Sequence, residues 1–231
     1  MAEGPRVASL HRYPVKSLLG EDLDELDLDP RGVVGDRLWS VRTAANKIGS
    51  GKSTTRFEAV VGLLDLRAAT QDGTVVVTSP DGDAYAVDDS GAAERLSSRL
   101  GKPLTFARET DVSHHDDGPV SLVGIASVRA LTAARGQFVE TSRFRANIVL
   151  ETNAAFAEDA WVGCRVSLGT AVLEVFMPSP RCVMINMASA DLAAQPGNLA
   201  ALAQLHDSCL GVIARVVQPG RVGVGDVVHV L

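Results

Sequence analysis

Apolar residues alternate with polar ones through many short stretches of this chain, and recur at helical spacing in only three. Residues 6–13 carry Val7 and Leu10 in an extended pattern that Pro14 limits. Leu23, Leu26 and Leu28 stand among acids in a half-exposed segment, and residues 37–41 alternate polar with apolar as a one-face-buried strand does. Asp72-Gly73 separates residues 64–70 from 74–79, where Val75, Val76 and Val77 favour β structure, so the spacing predicts a hairpin. Asp81-Gly82 predicts a second turn, into residues 84–87. Five more strands are predicted over 147–150, 165–168, 171–177, 212–217 and 227–231. The helical stretches are 89–100, with Ser90 as a candidate N-cap and Gly101 and Pro103 as stops, 124–135, stopped by Gly136, and 198–205. Many short strands, glycine-rich turns and few helices predict a β-rich, barrel-like α+β fold rather than a doubly wound sheet.

Composition narrows the classes. A formal net charge of -6 over 231 residues disfavours a nucleic-acid binder, which needs clustered Lys and Arg. No run of about 18 apolar residues suggests a membrane span. The first residues lack a basic region followed by an apolar one, so no export signal is expected. The three cysteines, Cys164, Cys182 and Cys209, are widely spaced and form no disulfide framework, which predicts reduced thiols in a cytoplasm. Only four of the 22 basic residues are Lys and the other eighteen are Arg, a bias that suits planar or phosphorylated ligands but also a GC-rich genome.

Four segments invite chemistry. Gly49 to Thr54 contains Gly51-Lys52-Ser53, but Asn46 stands where a phosphate loop needs its first Gly, so a cation-bearing loop fits better than a nucleotide site. His114-His115-Asp116-Asp117 reads as a solvated loop rather than a metal cluster, since adjacent side chains diverge. If residues 143–149 are extended, Arg143, Arg145 and Asn147 share one face and Phe144, Ala146 and Ile148 the other. That polar face is either solvated or a site for phosphate, carboxylate or a planar heterocycle. Ser179, Arg181 and Cys182 lie in a turn stiffened by Pro178 and Pro180, where a neighbouring cation would favour the thiolate of a cysteine whose ordinary pKa is ~8.5. Cys164 and Cys209 have no such setting and read as packing residues.

Taken in order, these pieces resemble the MOSC family, named for the C-terminal domain of molybdenum-cofactor sulfurase. Tyr13-Pro14-Val15-Lys16-Ser17 is similar to its YPVKS motif, Gly35-Asp36-Arg37-Leu38-Trp39 to GDRxW, and Arg143 to Ile148 to RFRxNI. Glu158 to Trp161 is similar to an EDxW segment, Pro180-Arg181-Cys182 to the cysteine motif, and Gly220 to Asp226 to a closing GxxxxGD turn. The resemblance implies an N-terminal β-barrel-like region over residues 1–92 and a MOSC β-barrel over 93–231, with molybdenum cofactor in the cleft between them. In its amidoxime-reducing branch the motif cysteine ligates molybdenum, which implies Cys182 as both metal ligand and catalytic residue. Lys16, Ser17 and Arg37 match positions that reach the pterin or its phosphate. Arg143, Arg145 and Asn147 match the strand that holds the pterin, and Ser179 and Arg181 flank the cysteine.

The implied activity is reduction of N-hydroxylated small molecules, with separate electron-transfer proteins of the haem or the flavin and iron–sulfur kind. The alternative is a non-redox carrier of cofactor, or of persulfide sulfur on Cys182. Where reductase members often have an acidic VDP-like segment after the cysteine, this chain has Val183-Met184-Ile185-Asn186-Met187-Ala188, which leaves its small-molecule substrate open.

Overall fold

The computed structural model describes residues 4–231. Its largest sheet has eight strands in the spatial order His229–Val230, Arg165–Leu168, Ala171–Pro180, Cys209–Gln218, Val120–Gly124, Ile148–Glu151, Arg6–Arg12, Glu21–Leu23. Every neighbouring pair is antiparallel except Val120–Gly124 with Ile148–Glu151. A parallel pair needs a crossover, and helix α2 (Ile125–Arg135) lies within the connection. Glu25–Asp29 pairs with Gly220–Gly223 at the far end of the chain, so the N-terminal strands complete the sheets of the C-terminal half. Behind them lies a core of Leu10, Leu26, Leu122, Ile148, Leu168 and Val212, all almost fully buried.

Val15, Leu18 and stretches of residues 41–104 build a second core. Val15, Leu18, Val41, Leu63, Leu66 and Val77 gather there with Leu96 of α1 (Ala92–Leu100) and Leu104 of the strand Leu104–Arg108. That strand pairs with Trp39–Thr43, so both elements pack with the N-terminal region. The fold is a β-rich α+β architecture, as the alternation predicts. The hairpin forms between Arg67–Gln71 and Thr74–Thr78, and Asp72 and Gly73 both take positive φ (48° and 81°), as a two-residue hairpin turn requires. α1, α2 and α3 (Asn198–His206) fall where predicted, α1 starting behind Gly91 rather than a side-chain cap at Ser90.

Residues 143–147 differ from the expectation. Thr141–Phe144 is a single 3₁₀ turn, Arg145 takes left-handed φ of 51°, and the strand begins only at Ile148. Alternation of Arg143, Arg145 and Asn147 with apolar neighbours therefore reflects a tight turn rather than one strand face. Residues 227–231 form only the two-residue strand His229–Val230.

The EDxW-like segment is a structural clamp. Glu158 is fully buried, and its Oε1 accepts hydrogen bonds from Gly124 N (3.0 Å) and Ser127 Oγ (2.7 Å) at the start of α2. Trp161 is buried in the main core. A carboxylate at a helix N-terminus satisfies donors that the helix leaves open and complements its dipole. Glu158→Ala should therefore lower stability by about 3 kcal/mol in urea unfolding, since both donors lose a charged partner inside the protein. A change under ~0.5 kcal/mol would show that solvent replaces the clamp.

Candidate functional site

Tyr13-Pro14-Val15-Lys16-Ser17 runs beside Gly35-Asp36-Arg37-Leu38-Trp39. Trp39 N donates to Pro14 O (3.0 Å), Lys16 N to Trp39 O (2.8 Å) and Arg37 N to Tyr13 O (2.7 Å). Asp36, with no exposure, ties the pair together: its Oδ1 accepts from Tyr13 N (2.8 Å) and its Oδ2 pairs with the Arg37 guanidinium. Burial works against the Arg37 charge, but Asp36 outweighs it and holds the guanidinium pKa above its ordinary value. Ser17, Arg37 and Arg145 all adopt positive φ (69°, 50° and 51°). Left-handed backbone at three non-glycine residues around one cleft is the clustering that functional sites tolerate.

The cleft is open at its mouth and encloses about 120 Å³. It brings together Lys16, Ser17, Arg37, Arg143, Arg145, Asn147, Ser179, Arg181 and Cys182. Those side chains divide into two kinds. Arg143, Arg181 and Asn147 spend their donors on the wall. Arg143 bonds Glu140 Oε2 (2.7 Å), Met187 O (3.1 Å) and Ala193 O (2.8 Å). Arg181 bonds Leu210 O and Phe144 O, each at 2.9 Å. Asn147 Oδ1 accepts from Ser121 Oγ (3.0 Å) while its Nδ2 donates to His11 O (3.4 Å). Arg37 donates its remaining Nη2 to Arg145 O (3.1 Å). These four hold the shape of the cleft.

Arg145 is of the other kind. Its guanidinium lies over the Tyr13 ring (4.4 Å), with Arg37 at 4.9 Å from the same ring, and its Nη1 is buried with no hydrogen-bond partner. Burial pulls its pKa down to about 10 and likewise that of Arg181 to about 10. A buried cation with an open donor is costly to maintain unless a ligand supplies the acceptor. Lys16 is 4% exposed and its Nζ meets Asp116 Oδ2 at 2.8 Å. Burial pulls the Lys16 pKa down to about 8, against the pull of Asp116. Cys182 is half-buried behind Pro180, at the end of a strand whose pairing shifts register between Pro178 and Pro180. It opens a 3₁₀ turn, Val183–Asn186, so its side chain sits at the cleft margin.

Three further residues line the cleft. Lys52 lines the cleft from the loop after Ile48–Ser50, and that loop packs so closely that a Cβ at Gly51 would stand 2.7 Å from Met187 Sδ. Asp116 and Asp117 line it from the opposite side. The segment holding them was expected to be solvated, yet His114 is fully buried and His115 is 7% exposed. His114 contacts Ser40 Oγ (3.1 Å) and Arg37 O (3.1 Å), and its backbone N donates to Glu109 Oε2 (2.7 Å), which Arg31 also grips. Burial, then Arg37, pushes the His115 pKa down to about 4, so it is neutral near pH 7. A run of two histidines reads as polar from sequence, and only the backbone acceptors beneath reveal the burial. Among the described residues no group of His, Cys, Asp and Glu gathers to hold a metal ion by itself.

Asp116 occupies the Lys16 ammonium as an anion from a ligand would. Sulfate, whose charge is constant across the range, should bind to the protein more weakly as pH rises through about 8, because Lys16 loses its proton there. Titration calorimetry of sulfate at pH 7 and pH 9 should show that loss in wild type and not in Lys16→Arg. Asp116→Asn should tighten sulfate roughly threefold to tenfold by removing the competing carboxylate. Equal affinity at both pH values would place the anion away from Lys16.

Models of two protein families match the chain in sequence. The MOSC N-terminal beta barrel domain covers residues 4–106 and the MOSC domain residues 109–229. The chain therefore belongs to the MOSC family, with its associated N-terminal barrel domain. It is similar to a molybdenum cofactor sulfurase of Danio rerio, 25% identical over 234 aligned positions that take in 78% of this chain and 28% of that protein. The chain thus spans well under a third of that relative. Its fold is similar to that of the YuaD protein from Bacillus subtilis, with a TM-score of 0.54 and 16% identity over 97% of this chain and 93% of the other.

Proposed function

We propose that the cleft binds molybdenum cofactor and that the protein reduces N-hydroxylated small molecules with electrons from separate donor proteins. The observation that carries this reading is the open, buried Nη1 of Arg145 in the same cleft as Lys16 and Cys182. The donor set fits the group. Molybdopterin presents a phosphate and a pterin rich in acceptors, for which Arg145, Lys16 and Lys52 supply charge-assisted donors. A soft thiolate from Cys182 suits a molybdenum already held by dithiolene sulfur, so one protein sulfur can serve where the described residues gather no closed cluster of ligands. The bound cofactor supplies the molybdenum centre for oxygen-atom transfer.

The chain's own work is binding and orientation. Arg145 and Lys16 neutralise the anionic end of the ligand. The Tyr13 ring supports the Arg145 guanidinium, and Arg37 Nη2 holds the Arg145 carbonyl. Arg143, Arg181 and Asn147 keep the walls rigid, and Ser17 and Ser179 line the floor with small hydroxyls. The net reaction consumes two electrons and two protons and turns an amidoxime into an amidine and water. Electron donors of the haem or the flavin and iron–sulfur kind would dock near the open mouth.

The curated relative's name, molybdenum cofactor sulfurase, favours a second reading, in which Cys182 carries persulfide sulfur or the protein hands on cofactor. One experiment separates the two. Protein loaded with cofactor and given dithionite-reduced methyl viologen should convert benzamidoxime to benzamidine. Bound cofactor with no benzamidine formed, together with a sulfane-sulfur adduct on Cys182 by mass spectrometry, would overturn the reductase reading in favour of the carrier.

A further inference from the structure

A second cavity opens beside the cleft, sharing Arg143, Arg145 and Met184 with it. It encloses about 50 Å³ behind an open mouth, and Leu19, Leu64, Leu192, Met184 and Met187 line it. All five are half-buried. The loop that closes it is pinned to the N-terminal region: Ala190 N donates to Leu64 O (3.1 Å), and Asp191 pairs with Arg67 (2.5 Å). Ser142, Arg143, Arg145, Ser189 and Asp191 interrupt the apolar lining. Ser189 Oγ and Arg145 Nη1 are both buried without a hydrogen-bond partner. Arg143, the other cation here, is spent on Glu140, Met187 O and Ala193 O.

We infer that this cavity and its open mouth form a binding subsite for a compact, mainly apolar group, one ring or a short branched chain seated partly in the mouth, bearing an oxygen acceptor that reaches Arg145. An apolar chamber with a few converging polar groups is the common form of a small-molecule site. Leucine and methionine walls supply the apolar contact, and the two methionines adapt to irregular shapes. Arg145 Nη1 carries two N–H groups, one for the cofactor proposed above and one for this acceptor, and leaving them and the Ser189 hydroxyl unpaired inside the protein costs free energy that a fitting ligand recovers. Asp191 does not repel such an acceptor, since Arg67 already neutralises it. Met184 follows Cys182 by two residues and borders both spaces, so a ligand body held here points its polar end toward the Cys182 side of the cleft. The role as the substrate pocket rests on the proposed function; the binding itself does not.

The chain has four methionines, and ¹³C-methyl labelling makes two of them direct reporters of the cavity. Benzamide, added to apoprotein, should shift the Met184 and Met187 methyl signals saturably, with a Kd of about 1 mM, and leave Met177 unmoved. Benzoate should do the same. Toluene should bind at least about tenfold more weakly, because it offers Arg145 no acceptor. Leu192→Trp fills the chamber and should abolish the benzamide response, with an unchanged Met177 signal reporting an intact fold. Absence of shifts at Met184 and Met187, shifts that survive Leu192→Trp, or toluene binding as tightly as benzamide would each overturn the inference. Because the readout needs no molybdenum, its failure is distinct from a failure of the reductase reading.

Discussion

Cys182→Ser should abolish molybdenum-dependent reduction of benzamidoxime while leaving the melting temperature within about 2 °C of wild type. The sulfur is half-buried at the cleft margin and not part of a core cluster, so the exchange of sulfur for oxygen removes little packing. A neutral hydroxyl is a poor substitute for a soft thiolate toward molybdenum. Cys164→Ser and Cys209→Ser are the controls. Neither lines the cleft, and burial pushes the Cys209 thiol pKa up, away from thiolate reactivity. Both variants should keep activity within about twofold, which is under ~0.5 kcal/mol. Activity of Cys182→Ser equal to wild type would remove this residue from the site.

The second large effect is on binding alone. Arg145→Met should weaken molybdopterin roughly 30- to 100-fold, as expected for loss of a charge-assisted hydrogen bond in a buried setting. The same variant should not lower the stability of the apoprotein. Burial holds the Arg145 pKa at about 10, below the ordinary guanidinium value. The unfolded chain therefore binds the proton more tightly between that pKa and the ordinary one, and below pH 10 the folded charge opposes stability. Methionine keeps a flexible stem and a favourable contact with the Tyr13 ring. Melting curves of apoprotein should show an unchanged or raised midpoint, and fluorescence titration with molybdopterin should show the loss. A collapse in stability with unchanged affinity would make Arg145 a structural prop.

Much of this was readable before any coordinates. The Asp72-Gly73 turn before a β-branched run located the hairpin, and glycine stops bounded two of the three helical stretches. Such signals are local, so local rules find them. The turn at Arg145 was not readable, because Arg143, Arg145 and Asn147 alternate with apolar neighbours as a strand would. The left-handed backbone there answers to tertiary partners: Arg37 Nη2 on Arg145 O, and Arg181 on Phe144 O. The same reason hides which arginines are free. Arg143 and Arg145 are two residues apart and chemically identical, yet one is spent on Glu140 and two carbonyls while the other keeps an open donor. Asp116 and Lys52 enter the cleft from loops a long way apart in sequence, which no spacing rule links.

Molybdenum held through Cys182 would appear in the metal content of protein purified anaerobically from a host that makes the cofactor, measured by mass spectrometry alongside Cys182→Ala. Near-stoichiometric molybdenum in wild type and none in the variant is the result expected. Wild-type protein free of molybdenum, from cells whose own molybdoenzymes are loaded, would contradict it.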